Sequence, residues 1–251
     1  EEMQQIVEIN RAFDDQRFVL YHQKIYNLQK SNDDQPMFSE VLVRMLDQNN
    51  NLVPPGVFLP TAERYNLITR LDIWVVTAVL EWLQKEVSAG FDIHCTVNLS
   101  GSSIADKDFL RLVLEKFDSS DVEPWRICFE ITETAAIANL TRATQFIDQL
   151  KERGCSFALD DFGTGFSSFA YLKTLPVDYL KIDGFFVRDM LKDRVDLEMV
   201  KSINDIGHVM GKKTIAEFVE DLDTMELLQE MGVDYAQGYA ISKPIPVDKT
   251  E

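Results

Sequence analysis

The chain contains 251 residues, 45% of them hydrophobic, and its 25 basic and 42 acidic residues give a formal net charge of −17. An acidic balance this strong argues against general binding to nucleic-acid backbones, but it is compatible with one small phosphate ligand held through metal ions. The length is normal for an α/β barrel, and no apolar run is long enough for a membrane helix.

The first predicted element is a helix. In residues 1–14, Met3, Ile6, Ile9 and Phe13 recur at helical spacing, which predicts a lead-in helix. The chain starts at Glu1 without a methionine. We therefore interpret residues 1–16 as a helix and linker from a missing upstream region, and residues 17–251 as one domain.

Short β-like runs then alternate with amphipathic stretches. The predicted strands are Phe18–Ile25, Phe38–Met45, Ile93–Asn98, Ile127–Ile131, Ser156–Asp160, Tyr179–Ile182, Thr214–Glu217 and Tyr235–Tyr239. The predicted helices are Asp72–Val87, Asp106–Phe117, Leu140–Arg153, Val195–Met210 and Thr224–Met231. This pattern predicts an α/β fold, a TIM-like (β/α)8 barrel rather than an open sheet. A polar loop, Gln29–Gln35, joins the first two strands without a helix, so we expect an irregular start.

Polar side chains interrupt or end most of these strands. They are Glu40, Asn98, Glu130, Asp160, Asp161, Lys181, Glu217 and Gln237. In a barrel they would gather at the C-terminal mouth, where such folds keep their chemistry. Each residue alone has a simpler interpretation, as a helix cap, a turn residue or a lysine that reaches solvent. Together, five carboxylates on one mouth would repel one another unless cations neutralised them.

The residue types favour hard cations. Carboxylate oxygens and an asparagine amide suit Mg²⁺ or Mn²⁺. Adjacent Asp160 and Asp161 would let one carboxylate bridge two ions while the next binds one, which is typical of two-metal hydrolysis of a phosphate ester. The histidines His22, His94 and His208 show no HxH or HExxH spacing, so they are read as packing or surface residues and a zinc site is disfavoured.

Seven segments form a recognisable series: SEVLVRM at 39–45, VNLS at 97–100, FEITE at 129–133, DDFGTGFSS at 160–168, LPVDYLKID at 175–183, AEFVE at 216–220 and QGYAISKPIP at 237–246. In this order they resemble the sequence blocks of the EAL family. The resemblance runs from about Phe18 to Pro246. It implies a TIM-like barrel that hydrolyses the cyclic dinucleotide c-di-GMP to linear pGpG. The lead-in helix is similar to the linker that joins an EAL domain to an upstream GGDEF or sensor domain.

The resemblance also implies roles for single residues. The expected ligands of two Mg²⁺ or Mn²⁺ ions are Glu40, Asn98, Glu130, Asp160, Asp161 and Glu217. Asp160 would bridge the two ions, and Gln237 would complete the site directly or through water. The expected catalytic residues are Lys181, Glu40, Glu217 and Glu133. The expected substrate contacts are Gln23, Leu42, Arg44, Asp183 and Gln237.

Three of these roles have a physical reason or an alternative. Lys181 would orient or deprotonate the attacking water, since neighbouring cations should depress its pKa; a purely electrostatic role is the alternative. Arg44 would hold a phosphate through its forked donors. Glu133 would steady the DDFGTG loop, whose Gly163 and Gly165 would carry conformational control.

The sequence departs from the family pattern at two positions. Val41 stands where the family has alanine, and it adds bulk beside Glu40 without removing a ligand. Phe218 stands beside Glu217 where many members have glycine, and it either crowds the site or lines the guanine pocket.

Two other functions compete with hydrolysis of c-di-GMP. One is a binding module that senses c-di-GMP without cleaving it, as some family members do after losing metal ligands; here every ligand type is present. The other is an unrelated barrel metalloenzyme acting on a sugar phosphate, which gives no reason for DDFGTGFSS.

Assembly and location are also predicted. The family resemblance and the aromatic and aliphatic residues of the segment Phe166–Val187 together lead us to expect an exposed apolar patch that forms a homodimer interface; core packing alone is the alternative. The cysteines Cys95, Cys128 and Cys155 lack CxxC spacing and lie in apolar runs. They are expected to be buried and reduced, which indicates a cytoplasmic domain, although the full-length protein could be anchored to a membrane.

Overall fold

The computed structural model of the chain describes residues 2–29, 36–163 and 169–248. The helices are α1 (Glu2–Asp14), α2 (Pro55–Arg64), α3 (Ile68–Ser88), α4 (Gly101–Ala105), α5 (Lys107–Asp118), α6 (Glu133–Ala138), α7 (Leu140–Glu152), α8 (Gly184–Val187), α9 (Arg194–Val209) and α10 (Leu222–Glu230). The strands are β1 (Phe18–Lys24), β2 (Tyr26–Asn27), β3 (Met37–Leu46), β4 (Leu52–Val53), β5 (Ile93–Leu99), β6 (Ile127–Thr132), β7 (Ser156–Phe162), β8 (Tyr179–Ile182), β9 (Lys213–Ala216), β10 (Tyr235–Ala236) and β11 (Ile245–Pro246).

These strands form a single curled sheet. Its order is β11-β1-β3-β5-β6-β7-β8-β9-β10-β2, with β4 paired to β3. The strands from β3 through β5 to β10 run parallel to one another. Only Ile25 separates β1, which pairs with β3, from β2, which pairs with β10. The two ends of the sheet therefore meet on one chain segment, and the predicted TIM-like α/β barrel is confirmed.

The irregular start of the barrel lies in its first strand. β1 and β3 are antiparallel, and Gln23 is paired with Glu40. An antiparallel pair needs no crossover helix, which explains why a polar loop can join them. Phe18, at the beginning of β1, pairs with Met45 near the end of β3. The chain therefore enters β1 at the mouth where the parallel strands finish.

The interior of the barrel is layered. Ile25, Phe38 and Ile215 form a small buried cluster, against which Tyr179 and Tyr235 pack. Side chains two residues apart on a strand point to the same face, so the next interior layer follows from the alternation. Phe38, Tyr179, Ile215 and Tyr235 are each followed two residues later by a polar residue: Glu40, Lys181, Glu217 and Gln237, respectively. An apolar layer in the barrel interior thus lies beneath a polar layer at the C-terminal mouth.

The predicted strands and helices all occur, with shifted ends. α3 begins at Ile68 rather than at Asp72, and four short helices, α2, α4, α6 and α8, were not predicted. Strands β9 and β10 end at Ala216 and Ala236, earlier than predicted. In β9 the cause is local: Phe218 adopts a φ of +53°, which extended strands do not allow.

The lead-in helix packs onto the barrel. α1 buries Ile9 and Ala12. At its C-terminal side, the Arg17 guanidinium donates to the Leu46 carbonyl at 2.6 Å and pairs with Glu8 at 2.8 Å. The helix is therefore tied to the last residue of β3.

The expectations for the cysteines and histidines are confirmed. Cys95, Cys128 and Cys155 are free and buried. His22 and His94 make long contacts of 3.4 and 3.5 Å to serine hydroxyls, and His208 bonds to Asp234. Within the described ranges, no helix is both long and apolar enough to cross a membrane.

The segment Phe166–Val187 differs from its prediction. Phe185 is 68% exposed, but Phe166 and the side chain of Phe169 lie outside the described residues. The other members of the predicted patch are buried or partly buried: Tyr171, Leu172, Leu175, Tyr179 and Phe186. They fill the core, so the expected exposed patch is wrong for the described residues other than Phe185.

Candidate active site

Lys181 lies at the centre of the barrel mouth, where it faces four carboxylates. Its Nζ is 2.7 Å from Glu130 Oε2 and 2.8 Å from Glu217 Oε1. The same atom is 3.3 Å from Asp160 Oδ1 and 3.4 Å from Glu40 Oε2. The five residues come from β3, β6, β7, β8 and the end of β9, so closure of the sheet brings them together. The Lys181 side chain is only 1% exposed.

The charge of Lys181 follows from these neighbours. Burial by itself lowers the pKa of a lysine, but the attraction of the four carboxylates outweighs it and raises the pKa of Lys181 well above its ordinary value. The sequence led us to expect a depressed pKa from neighbouring cations. With the protein's own charges the direction is the opposite, because the groups facing this ammonium are anions. Lys181 is therefore a fixed cation of the protein itself.

The carboxylates cannot all be ionised beside one ammonium. Burial, with repulsion from Glu40, raises the pKa of Glu130 well above its usual range. Burial also raises the pKa of Glu217 to about 8. Burial acts in the same direction on Glu40, but Lys181 and two side-chain amides outweigh it and lower the pKa of Glu40. The cluster thus retains protons near neutral pH.

A second acidic group overlaps the first at the rim. Asp160, Asp161 and Glu217 each offer an oxygen, and these atoms lie within 4.8 Å of one another. Neighbouring residues of a regular strand point to opposite faces. Here Asp161 has a φ of +54°, and the register of β7 shifts between Leu159 and Phe162, so the two aspartates do not alternate. Burial, with repulsion from Asp160, raises the pKa of Asp161 to about 6.

The donor set fits hard divalent cations. Glu130 Oε1 and Gln237 Oε1 are buried and have no hydrogen-bond partner within the described part of the chain. Buried polar atoms normally have a partner. Together with the oxygens of the acidic residues, these atoms match the ligand preference of Mg²⁺ or Mn²⁺. The residues present therefore suit the ions that the sequence predicts.

Side-chain amides orient Glu40. Gln237 Nε2 donates to Glu40 Oε2 at 2.7 Å and to Gln23 Oε1 at 3.1 Å. Asn98 Nδ2 donates to Glu40 Oε1 at 2.6 Å. Gln23 itself donates to the Ser242 carbonyl at 2.9 Å. Both oxygens of Glu40 are thereby fixed, and the carbonyl oxygens of Asn98 and Gln237 remain as acceptors.

A cleft of about 570 Å³ opens over this cluster. A volume of that size suits one small-molecule ligand. Arg44 is the one cation among the described residues that line it, and its guanidinium lies 5.6 Å from the centroid of the Tyr21 ring. The predicted site residues along its wall are Gln23, Glu40, Leu42, Arg44, Asp160, Asp161, Glu217 and Gln237. A groove of about 550 Å³ between α5 and α7 contains none of them, so the mouth is the candidate site.

Comparison with known proteins agrees with this geometry. The sequence profile of the EAL domain family matches residues 6–244. This chain belongs to the EAL domain family. The cyclic di-GMP phosphodiesterase PdeB of Shewanella oneidensis is 41% identical over 96% of the chain, and the cyclic di-GMP phosphodiesterase PdeF of Escherichia coli is 33% identical over 96%. The chain spans 28% and 32% of these two proteins, so it corresponds to about a third or less of their length.

Solved EAL structures share the fold. A PaMucR phosphodiesterase in complex with c-di-GMP superposes with a TM-score of 0.90 at 30% identity, over 98% of this chain and 99% of that one. The FimX EAL domain of Pseudomonas aeruginosa bound to c-di-GMP gives a TM-score of 0.88 at 29% identity, over 96% of each chain.

Two predicted site residues of this EAL domain lie beside the cluster rather than in it. Buried Glu133 accepts hydrogen bonds from the Tyr171 hydroxyl at 2.6 Å and from the Gly163 N–H at 3.2 Å. These contacts suit a positioning residue for the segment after Asp161; Gly165 lies outside the described residues. Asp183 accepts from the Phe185 N–H at 2.6 Å, caps α8 and bonds to the Asp161 carboxyl.

The two departures from the family pattern have different positions in the EAL domain. Val41 is 2% exposed, and the alternation of β3 puts it on the face opposite Glu40. Phe218 is 48% exposed and lines the cleft. Val41 is therefore a core substitution, whereas Phe218 belongs to the site.

Two further residues of the EAL domain were missed by the sequence analysis. Tyr239 is 62% exposed and lines the cleft; its position two residues after Gln237 was the available signal. Asp72, buried in α3, accepts from the Ser100 N–H at 3.0 Å and the Ser103 hydroxyl at 2.6 Å. It fixes the turn after β5, just beyond Asn98. A lone aspartate near a predicted helix start carried no signal of this role.

Proposed function

We propose that this EAL domain hydrolyses c-di-GMP to linear pGpG. The observation that carries the proposal is the buried cluster of four carboxylates around Lys181, lying beneath a cleft that one arginine lines. Relatives at 33–41% identity that are named cyclic di-GMP phosphodiesterases support the same substrate.

The substrate's charge defines the role of the acids. A phosphodiester is an anion, so it is repelled by a mouth with five carboxylates unless these are neutralised. The residues that would hold Mg²⁺ or Mn²⁺ there are Glu40, Asn98, Glu130, Asp160, Asp161 and Glu217. Such ions, when bound, supply Lewis acidity and lower the pKa of a coordinated water.

The chain's own side chains supply orientation and charge. Arg44 offers forked donors to a phosphate oxygen from the wall of the cleft. Gln237 and Asn98 hold Glu40 through both of its oxygens. Lys181 lies within 3.4 Å of four carboxylates, and we assign to it the orientation of the attacking water. It can accept a proton only when these carboxylates are neutralised, because they are what raises its pKa.

One observation favours a second function, binding of c-di-GMP without turnover. Four carboxylates lie 2.7–3.4 Å from Lys181 Nζ and raise its pKa, and an ammonium held in this way suits retention of an anionic ligand better than acceptance of a proton. A complete set of oxygen donors argues for the enzyme.

Direct product analysis separates the two functions. The chain is incubated with c-di-GMP and Mn²⁺ or Mg²⁺, with a parallel sample in excess EDTA, and pGpG is followed by chromatography. Metal-dependent appearance of pGpG supports hydrolysis. Binding of c-di-GMP without product would favour the receptor, and full activity in EDTA would contradict a metal-assisted reaction. Ca²⁺ should bind but support little turnover because its coordination is longer and looser.

We also propose, mainly from the family resemblance, that the domain forms a homodimer through the Phe166–Val187 segment and works beside a sensor or GGDEF domain in a longer protein. Exposed Phe185 is the described residue that supports such a contact. Sedimentation across a concentration series, with and without substrate and metal, tests it. A strict monomer with full activity would exclude the dimer.

A further inference from the structure

The residue after Glu217 has an unusual backbone. Phe218 has a φ of +53°, in the left-handed region that bulky residues rarely adopt. The chain turns there: the Glu217 N–H donates to the Ile182 carbonyl of β8 at 3.2 Å, whereas the Val219 N–H donates to the Gln237 carbonyl at 3.0 Å. Strained residues of this kind persist only where the surrounding structure enforces them.

The ring of Phe218 provides this enforcement. It lies directly on Gly184, because a Cβ built on that glycine would be 2.1 Å from Cδ2 and 2.6 Å from Cγ of the ring. The Arg188 guanidinium lies 4.1 Å from the ring centroid. Both residues follow Lys181 and Asp183 in the chain, so the ring connects the end of β9 to the segment after β8.

The turn determines where the Glu217 side chain lies. Glu217 Oε1 is 2.8 Å from Lys181 Nζ, and one Glu217 oxygen lies within 4.8 Å of oxygens of Asp160 and Asp161. Since Glu217 directly precedes Phe218, a change in the left-handed turn moves this carboxylate relative to the other two.

We infer that Phe218 is a positioning residue whose ring, seated on Gly184 beside Arg188, holds Glu217 in place and thereby sets the affinity of the mouth for divalent cations. The inference rests on the proposed function in taking such cations as the cofactor. It concerns only residues of this chain, and it can be tested by cation binding without substrate.

Another role for the ring predicts different results. Phe218 is 48% exposed and lines the cleft, so it could contact only the substrate. In that case substitutions would change the KM for c-di-GMP and leave Mn²⁺ affinity unchanged.

The variants Phe218→Ala and Phe218→Gly should differ in their affinity for Mn²⁺. Alanine keeps the strain of a positive φ but loses the ring, so Mn²⁺ affinity should fall about tenfold, as release of a strained turn predicts. Glycine adopts this φ without strain, so Mn²⁺ affinity should stay within about threefold of the parent. Free Mn²⁺ is measured by electron paramagnetic resonance during titration, with each variant's folding checked by thermal unfolding.

The variant Gly184→Ala tests the contact from the other side. Its new Cβ must displace the ring, so Mn²⁺ affinity should fall about tenfold. The double variant Gly184→Ala/Phe218→Gly should bind as Phe218→Gly does, because the three side-chain atoms of Phe218 that the Cβ meets are then absent. Gly56→Ala is the matched control, because a Cβ there meets no atom within 4 Å. If Gly184→Ala fails to fold, exposed Arg188→Met replaces it, with an expected loss of about threefold from the missing cation–π contact.

Each of three results would overturn the inference. The first is Mn²⁺ affinity within twofold of the parent in both Phe218→Ala and Gly184→Ala, or in Arg188→Met where that variant replaces Gly184→Ala. The others are Mn²⁺ binding by Phe218→Gly as weak as by Phe218→Ala, or by the double variant no tighter than by Gly184→Ala. Turnover is measured separately. If the parent protein binds Mn²⁺ but forms no pGpG, the proposed hydrolysis is refuted. The order of Mn²⁺ affinities among the variants still tests the role of the Phe218 ring in that case.

Discussion

Replacing Lys181 by methionine should destabilise the protein strongly without divalent cations and much less with them. Four carboxylate oxygens lie 2.7–3.4 Å from Lys181 Nζ. Near a protein surface, one such pair at about 4 Å is worth about 4 kcal/mol before desolvation. Removing one partner of a buried ion pair costs about 3–5 kcal/mol, because the other charge is left uncompensated. Proton uptake by Glu130 and Glu217 keeps the loss within that range, since both already have raised pKa values.

The measurement is thermal unfolding in EDTA and in saturating Mn²⁺. For a domain of this size, about 1 kcal/mol shifts Tm by about 2–4 °C, so Lys181→Met should lower Tm in EDTA by about 6–20 °C. Mn²⁺ should remove more than half of that deficit, because cations then neutralise the carboxylates in place of the ammonium.

Lys212→Met is the matched control for this experiment. Buried Lys212 donates to the carbonyls of Leu175 and Val177 at 3.1 and 2.8 Å, away from the carboxylates. Its loss should cost stability equally with and without Mn²⁺. The reasoning about Lys181 is refuted if Lys181→Met is as stable as the parent in EDTA, or if its deficit is the same in Mn²⁺.

Four further outcomes are expected. Glu217 has a pKa of about 8 against an ordinary 4.5, so it holds a proton in the folded state between these pH values, and the stability of the metal-free protein should fall as pH rises from about 4.5 to 8. Binding of Mn²⁺ at pH 7 should therefore release protons, and fewer of them in Glu217→Gln, which calorimetry in two buffers of different ionisation enthalpy measures. Glu40→Ala should lower pGpG formation more than about tenfold, and higher residual activity would contradict its assignment as a ligand. Lys181→Ala should retain c-di-GMP binding while turnover falls about 10²–10⁴-fold; lost binding with intact turnover would make it a substrate clamp. Gly238→Ala should lower Tm where Gly56→Ala does not, because its Cβ would lie 2.1 Å from the Val219 carbonyl oxygen; equal Tm values would show that the backbone adjusts freely.

The strand pattern predicted where the site residues lie, because alternation and the closure of a parallel barrel are enough to bring strand ends together. Glu40, Glu130 and Lys181 belong to strands whose apolar runs were visible in the sequence, and they meet as expected. Their chemical state was not predictable. It depends on distances of about 3 Å among four carboxylates, and these decide that the pKa of Lys181 rises rather than falls.

Other features depend on contacts that sequence patterns do not encode. The segment around Leu172 and Leu175 is apolar whether it faces the core or a partner, so composition alone could not separate the two. The left-handed turns at Asp161 and Phe218 fall on residues that are not glycine in this chain, and only the glycine of many family members at the position of Phe218 pointed to one of them. Asp72 reaches Ser100 across 28 residues of sequence, and only the fold brings them together.

The reversed first strand has a mechanical consequence. Because β1 starts at the mouth, helix α1 joins the barrel on the face that bears the candidate site, and Arg17 fastens this junction to the Leu46 carbonyl. From Leu46 to Glu40 is six residues of β3, about 20 Å at the usual rise of a strand. A pull or a rotation applied to α1 therefore acts first on the strand that bears Glu40, Leu42 and Arg44. Displacement of helix α1 would therefore be transmitted to the wall of the cleft through its rim.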